Sequence, residues 1–476
     1  MNNYATHHGG NKLLKKTGSG TLFRYDTIIK TVEFREKTTM SSPATLDKLI
    51  ALCKRRGFVF PSAEIYGGLN GIYDFGPMGV LLKENIRTAW RRSMNSLKYD
   101  VLYLEGALLG PHAMWQASGH VENFHDPMVD CLNCKKRYRA DDLDLEKPCP
   151  HCGKKDWTEV RQFNMMFQTE LGASSASSTI AYLRPETAQA IFVNFKNIIS
   201  TCRVRIPFGV GQIGKAFRNE ITPKQFLFRM REFEQMEMEF FCKPEHADEF
   251  FTYWLAVRQD FYSKLGLNMD RIRMRPHAPG ELAHYSKQCT DVEYEYPFGW
   301  KELEGIAHRG SFDLDQHMKY SGKDLSVYDD ETKESYVPNV IECSVGADRL
   351  FLTLLFDAYQ EDTIDGEERI VLNLSPAMAP IKAAFLPLTK KLNDPVIALH
   401  KKIAQATGFS VVFDDSGSIG KRYRRQDEIG TPVCFTYDFD SEQDNKVTVR
   451  DRTTTKQERI PIESIERYLR DLVNKE

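Results

Sequence analysis

The sequence predicts an α+β protein: a large unit built on an antiparallel sheet flanked by helices, then a separate C-terminal α/β domain. Three observations in the 476 residues predict it. First, the chain from Arg203 to Phe241 reads as strands with a turn at Thr222-Pro223, and strands joined by so short a link pair antiparallel. Second, helical patterns bracket those strands at Leu46–Arg55, Val80–Leu97 and 245–265. Third, the composition changes at Ser375-Pro376 and Pro380. Beyond that point short strands (Val411–Phe413, Val433–Tyr437, Lys446–Arg450) alternate with helices near 390–407, 418–429 and 463–473.

The bulk properties exclude several classes. Hydrophobic residues make up 41% and charged residues 27%, enough apolar material for large cores. Lys and Arg total 64 against 66 Asp and Glu, so nucleic-acid contact must come from local patches. No uncharged apolar run is long enough to span a bilayer, so no membrane partner is expected. Ten cysteines in a chain of this length do not read as a secreted disulfide scaffold, and a reducing, cytoplasmic compartment is expected. Residues 1–40 read as an extension, either a disordered tail or the result of a start placed ahead of Met40; a targeting segment is the alternative.

In the Val80–Leu97 helix, Leu82, Ile86 and Trp90 recur on one face, the spacing of a buried stripe. Loop-rich residues 127–160 hold Cys131-x-x-Cys134 and Cys149-x-x-Cys152, two knuckles that bring four thiolates into a tetrahedron. That predicts a zinc-ribbon-like insert with a closed, structural Zn²⁺ site; a regular knuckle would turn His151 away from it. Gly209-Val-Gly-Gln-Ile-Gly214 fits a dinucleotide-binding pattern, but Lys215-Ala-Phe-Arg-Asn-Glu220 after it reads as strand where a helix is needed. It is taken as a flexible approach to the hairpin.

The hairpin carries the unusual chemistry. Ala216, Arg218 and Glu220 alternate onto one face of the first strand. Arg229, Arg231, Phe233, Gln235, Glu237 and Glu239 share one face of the second, with Met230, Met236, Met238 and Phe240 on the other as core. Glu232 and Glu234 are expected near the loop end. A third strand, Val340–Val345, puts Glu342 and Ser344 on one face among apolar residues, so Glu342 is expected buried against a cation. It runs through Gly346 into a helix, Ala347–Ala358, whose first turn holds Arg349; a cation there opposes the helix dipole and calls for an anionic partner.

These residues resemble a known family. Phe217-Arg-Asn-Glu220, the loop to Phe228 and Arg229–Phe233 are similar to motif 2 of class II aminoacyl-tRNA synthetases, and Gly346-Ala-Asp-Arg349 with its helix to motif 3. The Val80–Leu97 helix with Gly110-Pro111 resembles the dimer-forming motif 1. Tyr73-Asp-Phe-Gly-Pro-Met-Gly79, Trp115-Gln-Ala-Ser-Gly-His-Val121, Arg139-Ala-Asp141, Arg184-Pro-Glu-Thr-Ala-Gln189, Phe233-Glu-Gln-Met-Glu237 and Glu302-Leu-Glu-Gly305 resemble the homodimeric glycyl-tRNA synthetases in particular. Gly417–Arg425 through Gly430-Thr-Pro432 resembles their anticodon-binding domain.

The resemblance implies a class II catalytic domain over residues 41–378, interrupted by the insert at 127–160, and an anticodon-binding domain over 379–476. It implies ATP-dependent attachment of glycine to tRNA(Gly) through a glycyl-adenylate, with Mg²⁺, in a homodimer. Arg218 would bridge the α-phosphate and the glycine carboxylate, and Arg349 would hold the γ-phosphate. Asn219, Glu220, Phe228, Arg229, Phe233, Glu302, Leu303, Gly346, Ala347 and Asp348 would complete the ATP site, with Arg309 a further candidate for phosphate contact. Arg139, Glu186, Phe233, Glu237, Glu342 and Ser344 would surround glycine.

The chemistry fits these residues. Carboxylate attack on a phosphorus needs positioning and charge neutralisation rather than a nucleophilic side chain. Glycine offers no side chain to grip, so selection must work by exclusion, with carboxylates crowding the α-carbon. The basic run Lys421, Arg422, Arg424 and Arg425 around Tyr423 is expected to contact tRNA, the tyrosine stacking on unpaired bases. The rival reading, a non-catalytic RNA-binding or accessory protein on the same fold, should have lost the arginines and glutamates that catalysis alone requires; they are present.

Overall fold

The computed structural model describes residues 45–95, 98–172, 179–283, 285–364 and 366–475. The expectation for residues 1–40 lies outside them. Helix α1 (Leu46–Arg56) starts at Thr45, whose hydroxyl accepts from the Lys48 amide, and stops at Gly57 with φ 71°. Helix α2 (Pro77–Asn95) begins on a proline, which suits a first helical position, and buries Leu82, Ile86, Trp90 and Met94. Next come β1 (Val101–Tyr103) and the strands of the cysteine-bearing insert, β2 (His125–Asp130), β3 (Arg137–Arg139) and β4 (Arg161–Asn164), paired in the order β3-β2-β4. Short helix α3 (Ala188–Val193) precedes the hairpin of β5 (Phe208–Phe217) and β6 (Glu232–Cys242). Then follow α4 (Ala247–Lys264), β7 (Ile272–Pro276), β8 (Gln288–Tyr296), β9 (Gly299–Gly310), α5 (Phe312–Ser321), β10 (Asn339–Gly346) and α6 (Ala347–Ala358).

Among the described residues the main sheet runs β7-β8-β9-β10-β6-β5-β1, antiparallel throughout except where β5 meets β1. One face is a large core in which Met236, Met238 and Phe240 of β6 pack with Trp90 of α2, Trp254 of α4 and Phe351 of α6. Burying each such side chain contributes about 1.5–3 kcal/mol, so this face fixes the register of the sheet. The other face is apolar only at one end, where Phe208, Phe241 and Val340 pack against Phe192 and Phe195. The rest of that face is the polar cleft described below.

One expectation needs correction. The Gly209–Gly214 run is no flexible approach: it lies inside β5, paired throughout with β6 and, over Gly209–Gly211, with β1. Its glycines are spacers, since a Cβ on Gly211 would lie 2.9 Å from Trp90 and one on Gly214 2.2 Å from Arg184. Glu234 lies near the loop end, as expected, opposite Lys215 of β5. It is buried on the α2 side of β6, where Lys83 Nζ at 2.7 Å and Arg87 Nη2 at 2.7 Å neutralise it.

The C-terminal part has its own core and mixed sheet. Strands β11 (Ala383–Pro387), β12 (Val411–Phe413), β13 (Val433–Tyr437), β14 (Lys446–Asp451) and β15 (Gln457–Pro461) take the order β12-β11-β13-β14-β15, the first three parallel. Helices α7 (Asn393–Thr407), α8 (Ile419–Ile429) and α9 (Ile465–Val473) accompany it, and Phe385, Leu399, Phe435, Val449 and Leu469 are in the core.

Candidate active site

A cleft of about 550 Å³ opens over β6, β9 and β10 on the polar face of the main sheet. Its two ends differ in charge. At the first end, Arg218 lies just past β5, its guanidinium 5.2 Å from the Phe233 ring and 5.3 Å from the Phe124 ring. Its Nε donates to the Pro185 carbonyl at 3.1 Å, which leaves the outer nitrogens toward the cleft. Glu220 is buried and accepts from Arg229 Nε at 2.7 Å, while its carbonyl accepts from Arg231 Nε at 2.9 Å, so the loop back into β6 is pinned from inside. Arg349 has the anionic neighbour its helix position demands: Glu302 Oε1 at 3.4 Å, with the Phe228 ring 4.5 Å beneath its guanidinium. Phe228 in turn packs edge-on against Tyr296 and Phe298. Leu303 and Gly346 complete this wall.

The second end is acidic and almost dry. Glu237 is 2% exposed, and its carboxylate accepts from the Thr187 amide at 2.8 Å, the Thr187 hydroxyl, Gln235 Nε2 at 3.0 Å and Ser344 Oγ at 2.7 Å. Glu186 faces His120 Nε2 at 3.1 Å and Gln189 Nε2 at 3.0 Å. Burial works against its ionisation, but His120, Arg309 and Gln189 outweigh it and hold the carboxyl below the usual range. Glu342 has the cation expected of it, Arg309 Nη1 at 3.0 Å, yet burial and the nearby Glu237 and Glu186 push its carboxyl up to about 7. These acids and Ser344 line one end of the cleft, where Arg309 pairs with Glu342 and His120 with Glu186 while Glu237 is held by neutral donors.

Four expected contacts fall elsewhere. Ala347 packs in the main core, and Asn219 lies off the cleft wall, its amide donating to the Met165 carbonyl. Arg139 sits on β3 of the insert and reaches only the rim, pairing with Asp126 at 3.1 Å, which lies 4.0 Å from Arg229. Arg309 is not a phosphate ligand: it is 2% exposed and clamps Asp313 through Nε at 2.7 Å and Nη2 at 2.9 Å as well as Glu342. Asp348 does line the cleft, but its oxygens are engaged by Lys83 Nζ at 2.6 Å and the Glu234 amide at 2.8 Å.

Comparison with known proteins agrees with this geometry. Residues 173–359 match the class II tRNA synthetase core domain of the glycine, histidine, proline, serine and threonine group, and residues 382–472 match an anticodon binding domain. The chain is 50% identical over 460 residues to a glycine–tRNA ligase of Caldanaerobacter subterraneus, covering 91% of this chain and 99% of that protein. It is 50% identical over 454 residues to the glycine–tRNA ligase of Geobacillus thermodenitrificans (90% and 97% covered) and 48% over 464 to that of Clostridium acetobutylicum (91% and 100%). The chain belongs to the glycine–tRNA ligase family. It is therefore a class II ligase, and ATP with Mg²⁺ belongs to its chemistry. The exposed carboxylate of Glu302 beside Arg349 suits Mg²⁺, which takes one or two carboxylates together with phosphate oxygens.

The insert of this ligase keeps its four cysteines together. Ligand atoms of Cys131, Cys134, Cys149 and Cys152 lie within 4.8 Å of one another, with Cys131–Cys152 at 3.5 Å and Cys134–Cys149 at 3.8 Å. All are free thiols, and His151 turns away to Lys136 at 3.1 Å. Of the basic run, one arginine is turned inward and two are paired with carboxylates. Arg422 is 3% exposed and donates to the carbonyls of Pro387, Asp415 and Gly417, so it cannot be a tRNA contact. Tyr423 is not a stacking platform either: its hydroxyl meets Thr436 at 2.7 Å and Arg450 lies over its ring at 4.7 Å. Arg425 pairs with Asp414 at 2.7 Å and Arg424 with Glu367 at 3.2 Å, while Lys421 is exposed.

Sequence reasoning missed four contributors. His120 orients Glu186 and stood in the sequence inside Trp115–Val121, treated as an ordinary histidine. Thr187 donates twice to Glu237 from within Arg184–Gln189. Lys83 and Arg87, four apart on α2, meet Glu234; their spacing was visible, their buried partner was not.

Proposed function

We propose that this ligase joins glycine to tRNA through a glycyl-adenylate formed in the cleft over β6, β9 and β10. The observation that carries the reading is the polarity of one cleft: Arg218, Arg229 and Arg349 at one end, and Glu186, Glu237 and Glu342 at the other. ATP lies with its triphosphate toward Arg349 and its adenine against Phe233, the amino group toward Glu220. Glycine lies with its ammonium among the acids and Ser344, and its carboxylate toward Arg218. A carboxylate oxygen attacks the α-phosphorus, the bond to pyrophosphate breaks, and Arg218 balances the charge that builds on the phosphoryl oxygens. The mixed anhydride then passes its glycyl group to a terminal ribose hydroxyl of tRNA, and AMP leaves. Glu302 would hold Mg²⁺, which would supply further charge neutralisation.

Selection is by exclusion. Any group on the α-carbon has to displace a carboxylate that is already pinned, as Glu237 is by its donors, or leave one unpaired, which costs more than a methyl group returns.

Further features of the reading have their own support. The tight cluster of thiols fits a closed structural Zn²⁺ site. The exposed apolar residues Ile65, Tyr66 and Leu69, near α2, favour a homodimer. Ten free cysteines suit a reducing, cytoplasmic compartment. The C-terminal domain recognises the anticodon, with Lys421 as its free basic contact. No helix among the described residues is long and apolar enough to cross a membrane. The test is charging of tRNA(Gly) with labelled glycine. Wild type should form glycyl-tRNA, and Arg218→Ala and Arg349→Ala should each lose roughly 10²–10³-fold in kcat. Charging unaffected by either change would refute the assignment.

A further inference from the structure

Glu239 lies on the same strand and face as Glu237, one step further from the cleft. It is completely buried, and neither carboxyl oxygen has a hydrogen-bond partner. In register it stands opposite Glu342 on β10 and Val210 on β5. The charged groups around it come from every neighbouring element: Glu342 from β10, Arg309 from β9, Asp313 from α5 and Glu237 from its own strand. The bonds of Arg309 go to Asp313 and Glu342. From α3 comes Gln189, uncharged and bonded to Glu186, Asp313 and His317. From β5 come only Val210 and Gln212.

An ionised carboxylate cannot persist in such a place, dry, unbonded and among three other acids, with Arg309 already bonded to two of them. A neutral carboxylic acid can, and it adds an O–H donor to a cluster in which the hydroxyls of Thr187 and Ser344 are both committed to Glu237. We propose that Glu239 is a positioning residue for glycine recognition: it is held as the neutral acid and donates its proton as a hydrogen bond to Glu342 when the glycine ammonium is seated. The neighbouring acid is thereby kept free to be the anion. Burial first, and the charge of Glu342 second, raise the Glu239 pKa well above the ordinary glutamate value, in the direction this role needs. The inference rests on the reading that glycine binds at Glu237 and Glu342.

Glutamine mimics a neutral acid, whereas leucine fills the space without a donor. Glycine-dependent ATP–pyrophosphate exchange is measured for wild type, Glu239→Gln and Glu239→Leu between about pH 6 and pH 9. Glu239→Gln should keep the glycine KM within about threefold of wild type, whereas Glu239→Leu should raise it about tenfold, the worth of one lost hydrogen bond, with the KM for ATP unchanged. Infrared spectra of the free protein should show a buried protonated-carboxyl band that is absent in Glu239→Gln. A folded Glu239→Gln that loses glycine as strongly as Glu239→Leu overturns the proposal, as does the absence of that band. If wild type itself shows no glycine-dependent exchange, the glycine site is what fails; the infrared band still decides whether Glu239 holds a proton.

Discussion

Lys83 Nζ and Asp348 Oδ1 meet at 2.6 Å, both buried, and tie α2 to the first turn of the helix that carries Arg349. The same ammonium reaches Glu234 at 2.7 Å, and Asp348 also accepts from the Glu234 amide. Burial acts to neutralise the lysine, but Asp348 and Glu234 outweigh it and keep its pKa above the ordinary value. One cation thus holds α2, β6 and α6 in fixed relation beneath the nucleotide end of the cleft.

Lys83→Met removes that cation, strands the buried Asp348 and leaves Glu234 to Arg87 alone. The expected cost is about 3–5 kcal/mol in denaturant unfolding, with a raised KM for ATP because Asp348 adjoins Arg349. An unfolding free energy within about 1 kcal/mol of wild type would show that the pair is not what holds these elements.

The glycine end should respond to pH through Glu342. Its carboxyl is pushed up to about 7 from 4.5, so in the free protein it is largely protonated below that point. The glycine KM should therefore rise as pH falls below about 7. For stability the sign is opposite: between 4.5 and about 7 the folded state holds a proton that the unfolded chain has lost, so the free protein loses stability as pH rises through that window. Glu342→Gln should remove that loss, unfold at a higher temperature than wild type at alkaline pH, and no longer bind glycine. A variant less stable than wild type there would contradict the sign.

Zinc content tests the insert. Cys149→Ser opens a four-thiolate site, and metal analysis should fall from one equivalent per chain to none. Proteolysis should then cut within 127–160 while the rest of the chain stays folded, because the main core draws no residue from the insert. Wild type free of metal after purification with zinc would end the zinc reading.

In the C-terminal domain two neighbouring basic residues should behave differently. Arg422→Ala leaves the carbonyls of Pro387, Asp415 and Gly417 without this buried donor and should lower thermal stability. Lys421→Ala should leave stability intact, weaken tRNA binding and reduce its salt dependence by about one ion. Equal effects on binding from both changes would place Arg422 at the surface after all.

Much of this was legible in the chain because the informative residues lie where secondary structure exposes its period. Alternation along Glu232–Cys242 separated the Met face from the acidic face, and both faces are found as expected. The α2 stripe and the Glu342 strand were read the same way. What stayed hidden depends on pairing across distance. The strands from Ile272 to Gly310 interleave charged and apolar residues, and their place in the sheet is set by β10, a neighbour far along the chain. Glu239 looked like one more acid on a polar face; only the packing of Phe192, Phe195 and Phe241 beyond it closes that end of the face. The basic run on α8 misled because its arginines bond to carbonyls and carboxylates from segments earlier in the chain, which local charge patterning cannot reveal.

The most direct test of the central claim is ATP–pyrophosphate exchange by the purified chain with Mg²⁺ and each of glycine, alanine, serine, proline and threonine in turn. Exchange with glycine alone is predicted, on the proposal that the glycine ammonium sits among the acids around Ser344, where a side chain would have to displace a pinned carboxylate. Comparable exchange with alanine, or none with glycine in folded protein, would contradict it.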